Sequence, residues 1–519
     1  MTLFYFLVGL RSRLNKKKRI GGILVRIESN TEKSANSFRE KLVESVHALT
    51  FNDVILLPGW ITVEPEEVNI ETHITPAIKL NIPFVSSPMD TVTGEDLSIA
   101  LARQGGIGFI HRNCDIETQV KMVKKVKRAE SFIMTDVVTI TPEKTVEEAL
   151  NIMKGEDIHG LPVLNENEKI IGICTWRDVR FADPSLLIQD VMTKDVITAT
   201  KDISSEEAKK LLHKYRIEKL PVIDEHEKLI GLITTKDITS KGKFPTATHD
   251  SEGALLCGAA ISPFDLERAK ALDKYTDILI TDVAHFHSNN CFKAVKALLK
   301  EIETPLIVGN IGTYEAAVDC VTQLEGIQGV RVGIGSGSIC STAVVTRAGA
   351  PTLFATAQVA DGIREVGSDI PIIADGGIKN PGDVTLALAV GASVCMMGNV
   401  FAGTKESPGR LVALEGRYYK QYYGMGSEAA KQKRYALDRY SKPSKTISEG
   451  VEGWVPYRGP LSETLQEFIG GLKASMGYAG AKEIAEMWTK TKLALVTQAG
   501  AKELAPHNIY LPGDTQPKS

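Results

Sequence analysis

Short, nearly continuous apolar runs recur along the chain, and most of them end in Gly, Asp, Asn or Ser. Runs of this kind are typical of strands buried on both faces of a sheet. Eight of them occupy residues 84–87, 106–110, 255–261, 277–282, 305–310, 329–335, 371–375 and 393–398. Helical periodicity separates most of the runs, as in residues 291–302. The alternation predicts an α/β fold with a parallel sheet closed into a (β/α)8 TIM barrel.

A doubly wound open sheet is the alternative architecture. It has little support, because no GxGxxG motif follows the first predicted strand.

An internal repeat interrupts this pattern between residues 131 and 243. Pro162 and Pro221 are 59 residues apart, and the same spacing separates two glycines and two aspartates at matching positions. The repeat predicts two copies, 131–185 and 186–243, inserted into a barrel made of 48–130 and 244–519. We expect the insertion to follow the second strand on the face of the active-site loops, a position that favours a regulatory role.

Composition adds three expectations. Residues 1–47 start with an apolar stretch too short to span a bilayer and followed by basic residues, so we expect a poorly ordered N-terminal extension without a membrane role. The formal net charge of -3 gives no global attraction to nucleic acid and favours a small-molecule partner. Seven cysteines without a CxxC motif argue against a disulfide framework or a zinc site and favour a reducing, cytoplasmic location.

Candidate chemistry lies in the loops after the last three predicted strands. Asp375-Gly376-Gly377 and Gly398-Asn399 follow strands seven and eight, where barrel enzymes often bind phosphate. Glycine lets backbone N–H groups approach an anion, although two tight turns without a ligand would have the same composition.

The loop after strand six carries three alternating glycines and ends in Cys340. A lone cysteine is usually a small buried apolar residue. A cysteine at the end of a glycine loop at the mouth of a barrel is more consistent with a nucleophile.

Seven motifs identify a family resemblance. The segments "LTFNDVILLPG", "VSSPMDTVTG", "GGIGFIHRN", "RVGIGSGSIC", "IIADGGI", "GNVFAGTKESPG" and "YYGMGS" occur in this order. Over roughly residues 48–510 the chain resembles the IMP dehydrogenase / GMP reductase family, where IMP is inosine 5′-monophosphate. The internal repeat resembles a tandem CBS module.

The resemblance implies a covalent mechanism. Cys340 would attack C2 of the purine of IMP, and NAD would accept the hydride. Thr342 would assist a mobile flap carrying Arg439 and Tyr440, which activates water to release xanthosine monophosphate. A second Arg-Tyr pair at 434–435 lies in the same region, and the letters "DRY" favour Arg439 and Tyr440.

The resemblance also implies binding residues. Those expected around the nucleotide are Ser87, Asn310, Arg331, Ser338, Asp375, Gly377, Gly398, Asn399, Tyr422, Gly424, Met425, Gly426 and Glu449. Those expected at the cofactor are Asp282, Gly333 and Gly335. Carbonyl groups of Gly335, Gly337 and Cys340 would bind a potassium ion, completed by Glu503 of a neighbouring subunit in a homotetramer or octamer. For Glu503, a solvated tail charge is the alternative.

In the CBS-like repeat, Thr175, Asp178, Thr234 and Asp237 are the expected ligands of a purine nucleotide. The alternative is that they only cap the following helices.

Three departures bear on function. GMP reductases carry a glutamate at the position of Glu428, so NADPH-dependent deamination of GMP is the main alternative activity. If Glu428 has no such role, we expect it to be a solvated surface residue. Phe286 and Asn399 replace the usual glycine and serine, which predicts altered cofactor or phosphate geometry. A non-catalytic nucleotide sensor is the third hypothesis, disfavoured by the joint presence of Cys340, Thr342 and Glu449.

Overall fold

The computed structural model describes residues 18–20, 23–25, 46–130, 133–134, 137–235, 244–433, 435 and 448–506. Residues 1–48 form one unit, in which Lys18–Ile20 and Ile23–Val25 pair as an antiparallel hairpin. Residues 49–519 form the second unit. The expectation of a poorly ordered extension stays a prediction, because most of residues 1–47 lie outside the described residues.

Eight parallel strands close into a barrel in the second unit, which confirms the predicted fold class. Each strand pairs with its neighbours in chain order, and the eighth pairs with the first. The strands are β1 (Phe84–Ser86), β2 (Ile107–Ile110), β3 (Cys257–Ile261), β4 (Ile278–Thr281), β5 (Leu306–Ile311), β6 (Gly329–Val332), β7 (Ile372–Asp375) and β8 (Val394–Met397).

A helix follows each strand and packs outside the barrel. The helices are α1 (Glu95–Arg103), α2 (Ile116–Arg128), α3 (Leu266–Asp273), α4 (Asn289–Leu298), α5 (Tyr314–Gln323), α6 (Thr352–Glu365), α7 (Pro381–Ala389) and α8 (Leu461–Ala479). Several begin at a capping side chain; Asp115 and Asn380, for example, accept hydrogen bonds from backbone N–H groups of the first turn.

Alternation along the strands divides the core into two layers. Ile107 and Phe109 belong to the cluster inside the barrel, whereas Ile110 belongs to the layer between strands and helices. No helix among the described residues is both long and apolar enough to cross a membrane.

The repeat occupies the connection from α2 to β3. The expectation that it follows β2 on the face of the active-site loops is therefore wrong. Because α2 has already carried the chain back along the barrel, the insertion begins at the opposite end, where the strands start.

Each copy of the repeat contains an antiparallel strand pair and a longer helix. The first copy has Val146–Gly155, Gly160–Leu164 and Ile170–Thr175; the second has Ser205–Tyr215, Lys219–Ile223 and Leu229–Thr234. The copies also exchange their leading segments. Met134 pairs with Leu232, and Thr193 pairs with Ile173, so each leading segment covers a sheet edge of the other copy.

A three-stranded antiparallel sheet lies between β8 and α8. Its strands are Leu411–Leu414, Arg417–Tyr423 and Glu452–Pro456. The ends of the last two strands bring residues 422–426 and Glu449 to the mouth of the barrel.

Candidate active site

A cavity of about 320 Å³ opens at the carboxyl ends of the strands. Loops after β1, β4, β6, β7 and β8 line it, together with Asn310 of β5, Tyr422, residues 424–426 and Glu449. Every residue predicted at the nucleotide or the cofactor lies in this lining, as do Cys340, Thr342 and Gly337. The structure thus brings together the barrel residues that the sequence singled out, although their roles remain proposals.

The glycine loop after β6 owes its course to glycine. Gly333 has a φ of +130° and Gly335 a φ of +79°, values in the region that disfavours residues with a side chain. A Cβ on Gly333 would also collide with the backbone carbonyl of Asp375. The chain therefore leaves the strand at Gly333 and carries Cys340 to the cavity wall.

Cys340 begins a chain of two side-chain hydrogen bonds. Its Sγ lies 3.2 Å from Thr342 Oγ1, to which the thiol donates, and the Thr342 hydroxyl donates to Glu449 Oε2 at 2.9 Å. Backbone pairing aligns the two segments, because Ser341 N donates to the Glu449 carbonyl and Val451 N to the Ile339 carbonyl. This arrangement offers a route for a proton from the thiol to a buried carboxylate.

The other six cysteines have different surroundings. Burial raises the pKa of Cys114 to about 11 and the pKa values of Cys174 and Cys320 to about 12. Burial also raises the pKa values of Cys257, Cys291 and Cys395. These thiols stay protonated at neutral pH, and none of them lines the cavity.

Charged side chains form a network across the floor of the cavity. Arg331 Nη2 lies 2.9 Å from Asp375 Oδ2, and its Nη1 lies 3.3 Å from Asp282 Oδ1. Asn310 Nδ2 donates to the same Asp375 oxygen at 2.9 Å. Asn310 Oδ1 is buried and has no partner among the described residues, so it is available to accept a hydrogen bond from a ligand.

Hydroxyl groups and glycines gather at the other end of the cavity. A Cβ on Gly398 would lie 3.0 Å from Tyr422 Oη and 3.3 Å from Ser87 Oγ, so only glycine leaves this space open. Burial raises the pKa of Tyr422, so its hydroxyl remains a donor at neutral pH. Asn399 Nδ2 donates to Ser338 Oγ at 3.2 Å. Donors without a fixed negative charge suit a phosphate.

Of the other predicted residues, Arg439, Tyr440 and Asp237 fall outside the described residues. Glu503 is exposed on the helix Gln498–Leu504. Thr234 ends a strand of the insert.

Thr175 and Asp178 form a capping box at the helix Trp176–Val179. The Thr175 hydroxyl and backbone N–H both donate to Asp178 Oδ2 at 2.7 Å. Local capping therefore accounts for this pair without a ligand.

Two residues that depart from the family pattern, Glu428 and Phe286, lie outside the cavity lining. Glu428 is exposed, accepts a hydrogen bond from Ser448 Oγ at 3.3 Å and is not part of the cavity lining. Phe286 is fully buried and packs against Phe292 with 5.6 Å between the ring centroids. Its ring is therefore directed into the core and away from the cavity.

Sequence reasoning missed Arg112, Met89 and Lys379. Met89 and Lys379 line the cavity, and Arg112 contacts the carboxylate of Asp282 from behind. Arg112 lies in the motif "GGIGFIHRN", two residues after the apolar strand β2, and this position is the one feature of the sequence that indicates its burial.

Known proteins share these features. The chain matches the family model described as IMP dehydrogenase / GMP reductase domain over residues 48–507. It is similar to inosine-5′-monophosphate dehydrogenase of Korarchaeum cryptofilum, with 53% identity over 89% of this chain and 97% of that protein. For the Methanocaldococcus jannaschii protein of the same name, identity is 46% over 91% of this chain and 98% of that protein.

A solved structure resembles the chain as well. The match is to a variant of GMP reductase from Trypanosoma brucei in complex with guanosine 5′-monophosphate. That chain is 36% identical, the TM-score is 0.80, and the match covers 91% of this chain and 100% of that one.

Proposed function

The chain belongs to the IMP dehydrogenase / GMP reductase family, and we propose that it oxidises IMP to xanthosine monophosphate with NAD, in guanine nucleotide synthesis. The observation that carries the proposal is the alignment of Cys340, Thr342 and Glu449 at one cavity.

The nucleotide would lie across the barrel mouth with its phosphate at the hydroxyl-rich end. Ser87, Ser338, Asn399 and Tyr422, with the N–H groups of Gly377 and Gly398, would hold the phosphate. Asp375, fixed by Arg331 and Asn310, would accept hydrogen bonds from the ribose hydroxyls. Residues 424–426 and Glu449 would border the purine.

The reaction starts when the sulfur of Cys340 bonds to C2 of IMP. The thiol proton passes to Thr342 while the Thr342 proton passes to Glu449, and the purine N3 takes up a proton from solvent. Loss of a hydride from C2, together with return of the N3 proton to solvent, leaves a thioimidate on Cys340. Water then adds its OH to C2 and one proton to N3, the C–S bond breaks, and the sulfur takes back a proton from Glu449 through Thr342. The OH proton goes to solvent as xanthosine monophosphate is released. The balance is IMP, NAD⁺ and water to xanthosine monophosphate, NADH and a proton.

The dinucleotide is proposed to bind beside Asp282. Asp282 lines the cavity, and a carboxylate there suits the hydroxyls of the nicotinamide ribose, with the glycine backbone of Gly333 and Gly335 beside it. When bound, NAD supplies the acceptor for the hydride that leaves C2.

We propose that Arg439 and Tyr440, on the mobile flap that the family resemblance implies, activate water for the hydrolytic step. We expect Arg439→Ala to retain a burst of NADH and to lose steady turnover, since only hydrolysis is impaired. The same behaviour in Arg434→Ala would move the assignment to residues 434–435.

Potassium is proposed at the glycine loop, with oxygen donors only. Gly337 already accepts a hydrogen bond from Cys340 N at 3.0 Å, which leaves its second lone pair for an ion. The proposed donors in this chain are the backbone carbonyls of Gly335, Gly337 and Cys340. Glu503 of a neighbouring copy would complete it in a cytoplasmic homotetramer or octamer.

The insert is proposed to be a CBS module that binds purine nucleotides through Thr175, Asp178, Thr234 and Asp237. Because the insert follows α2, its effect on turnover would be transmitted through the barrel or through assembly.

Reduction of GMP is the second candidate, favoured by Glu428 and by the Trypanosoma brucei structure. Two observations favour the dehydrogenase. The relatives named inosine-5′-monophosphate dehydrogenase reach 53% identity, against 36% for the reductase, and the Glu428 carboxylate is exposed outside the cavity.

Two absorbance traces of the reduced cofactor test the direction. We expect NADH to form from IMP and NAD, and no consumption of NADPH with GMP. Consumption of NADPH with GMP, and no NADH from IMP, would establish the reductase instead. No change in either trace would favour the nucleotide sensor.

A further inference from the structure

Arg112 is the largest fully buried side chain of the described residues, with 1% of its surface exposed. It lies between β2 and α2. Its Nη2 donates to the backbone carbonyl of Asp282 at 3.0 Å, and its Nε lies 3.6 Å from Asp282 Oδ2. Its Nη1 lies 3.5 Å from the carbonyl of Tyr435. A buried guanidinium thus contacts both the backbone and the carboxylate of one residue.

Asp282 lies between two guanidinium groups. Arg112 approaches Oδ2, and Arg331 approaches Oδ1 at 3.3 Å. Arg331 is shared, because it also pairs with Asp375 on the nucleotide side. Arg112 and Arg331 attract the two oxygens of this carboxylate from different sides, so loss of Arg112 would let the carboxylate turn toward Arg331. Arg112 therefore keeps the Asp282 carboxylate from turning toward Arg331, which remains paired with Asp375.

We propose that Arg112 is a positioning residue that holds the Asp282 carboxylate toward the cofactor and leaves Arg331 to the nucleotide. The inference rests on the proposed function in one respect, that Asp282 contacts the nicotinamide ribose. Arg112 itself is absent from the cavity lining, so it acts through Asp282.

Arg268 supplies a matched control. It is a second buried arginine near the same loop, and it pairs with Asp265 at 3.0 Å and donates to the Cys114 carbonyl at 2.9 Å and to Gln119. It has no contact with Asp282 or Arg331 among these bonds and does not line the cavity. A purely structural loss of a buried arginine should therefore look alike at both positions.

The experiment compares Arg112→Met, Arg112→Lys and Arg268→Met in the full chain. We expect Arg112→Met to raise the KM for NAD by about tenfold or more, the size of a lost buried charged hydrogen bond, with the KM for IMP within about twofold of wild type. Arg112→Lys should fall between, because an ammonium keeps the charge but not the two-point contact. Arg268→Met should lower the melting temperature and leave both KM values unchanged.

Equal changes in both KM values, or none in Arg112→Met and Arg112→Lys, would overturn the inference. If Arg112→Met does not fold, Arg112→Lys decides by the same split between the two KM values. A second measurement tests the role of Arg112 independently of the proposed function. Calorimetry in the Cys340→Ala background measures NAD binding to IMP-loaded protein, and this binding needs no turnover. There, an Arg112→Lys variant that binds NAD as tightly as its parent would contradict the role of Arg112 even if the wild type produced no NADH.

Discussion

The barrel mouth and the insert each join a threonine to a carboxylate, and the two pairs are built differently. At the mouth, Thr342 donates to Glu449 across 107 residues of sequence, at 2.9 Å. In the insert, Thr175 donates to Asp178 across three residues, at 2.7 Å. The insert pair follows from local helix capping, whereas the pair at the mouth exists only because the fold brings two segments together beside a thiol.

A hydrogen bond indicates function only where local structure does not already explain it. A capping box satisfies its own polar groups and stabilises its helix, so it needs no ligand to explain it. A long-range pair next to a half-buried cysteine in a cavity has no such local explanation. The pair at the mouth therefore indicates chemistry, whereas a ligand of the insert is tested only by direct binding.

Removal of the thiol should give the largest effect. We expect Cys340→Ala to lower turnover by on the order of 10⁴-fold or more, because the covalent route is lost. IMP binding should change little, since the phosphate and ribose contacts remain. Steady-state rates and calorimetry measure the two quantities. Cys114→Ala is the control, because Cys114 is also half-buried but lies outside the cavity, and a similar loss there would contradict the assignment.

Interruption of the proton route should give the next largest effect. Thr342→Val removes the hydroxyl that joins Cys340 to Glu449 while keeping the shape, and we expect kcat to fall by roughly 10² to 10⁴-fold. Thr342→Ser retains the hydroxyl and should retain most of the activity. If the valine and serine variants are equally active, the hydroxyl takes no part in catalysis.

The backbone of the same loop predicts a smaller, ionic effect. A site of carbonyl oxygens at residues 335–340 should accept potassium and discriminate against lithium, which is smaller and more strongly hydrated. We expect turnover to be lower in lithium buffer at equal ionic strength. Equal turnover rates in potassium and lithium buffers would contradict the proposed potassium site.

The fold itself could be predicted from the sequence, because strands buried on both faces leave continuous apolar runs. Strand ends were less accurate: the run 329–335 predicted a strand that the structure ends at Val332, since Gly333 adopts a φ of +130°. The position of the insert was missed for a different reason. The lysine-rich segment between β2 and the repeat forms helix α2, and the sequence analysis assigned no helix there.

Some residues of the site could be identified from the sequence and others could not. Cys340 and the glycines could be found because their sequence context is unusual. Arg112 could not, since an arginine after a strand normally lies in solvent, and only closure of the barrel places it against Asp282. The sharing of Arg331 between two aspartates likewise depends on three strands that are distant in sequence.

The smallest effects are expected in the insert. Thr175→Ala should destabilise its helix by about 0.5–2 kcal/mol through loss of the cap and leave kcat unchanged in the absence of nucleotide. Ser204→Ala is a matched control, because Ser204 caps the helix Ser205–Tyr215 in a capping box of the same kind. If Thr175 also binds a nucleotide, only Thr175→Ala should weaken ATP or GTP binding measured by calorimetry. Equal binding by both variants would reduce the pair to a cap.

The covalent bond at Cys340 is the central claim, and mass spectrometry measures it directly. The protein is incubated with IMP and NAD, quenched with acid during turnover and digested. We expect the peptide that contains Cys340 to gain the mass of a nucleotide, and the same peptide from Cys340→Ala to gain none. A wild-type protein that forms NADH while its Cys340 peptide stays unmodified would contradict the account.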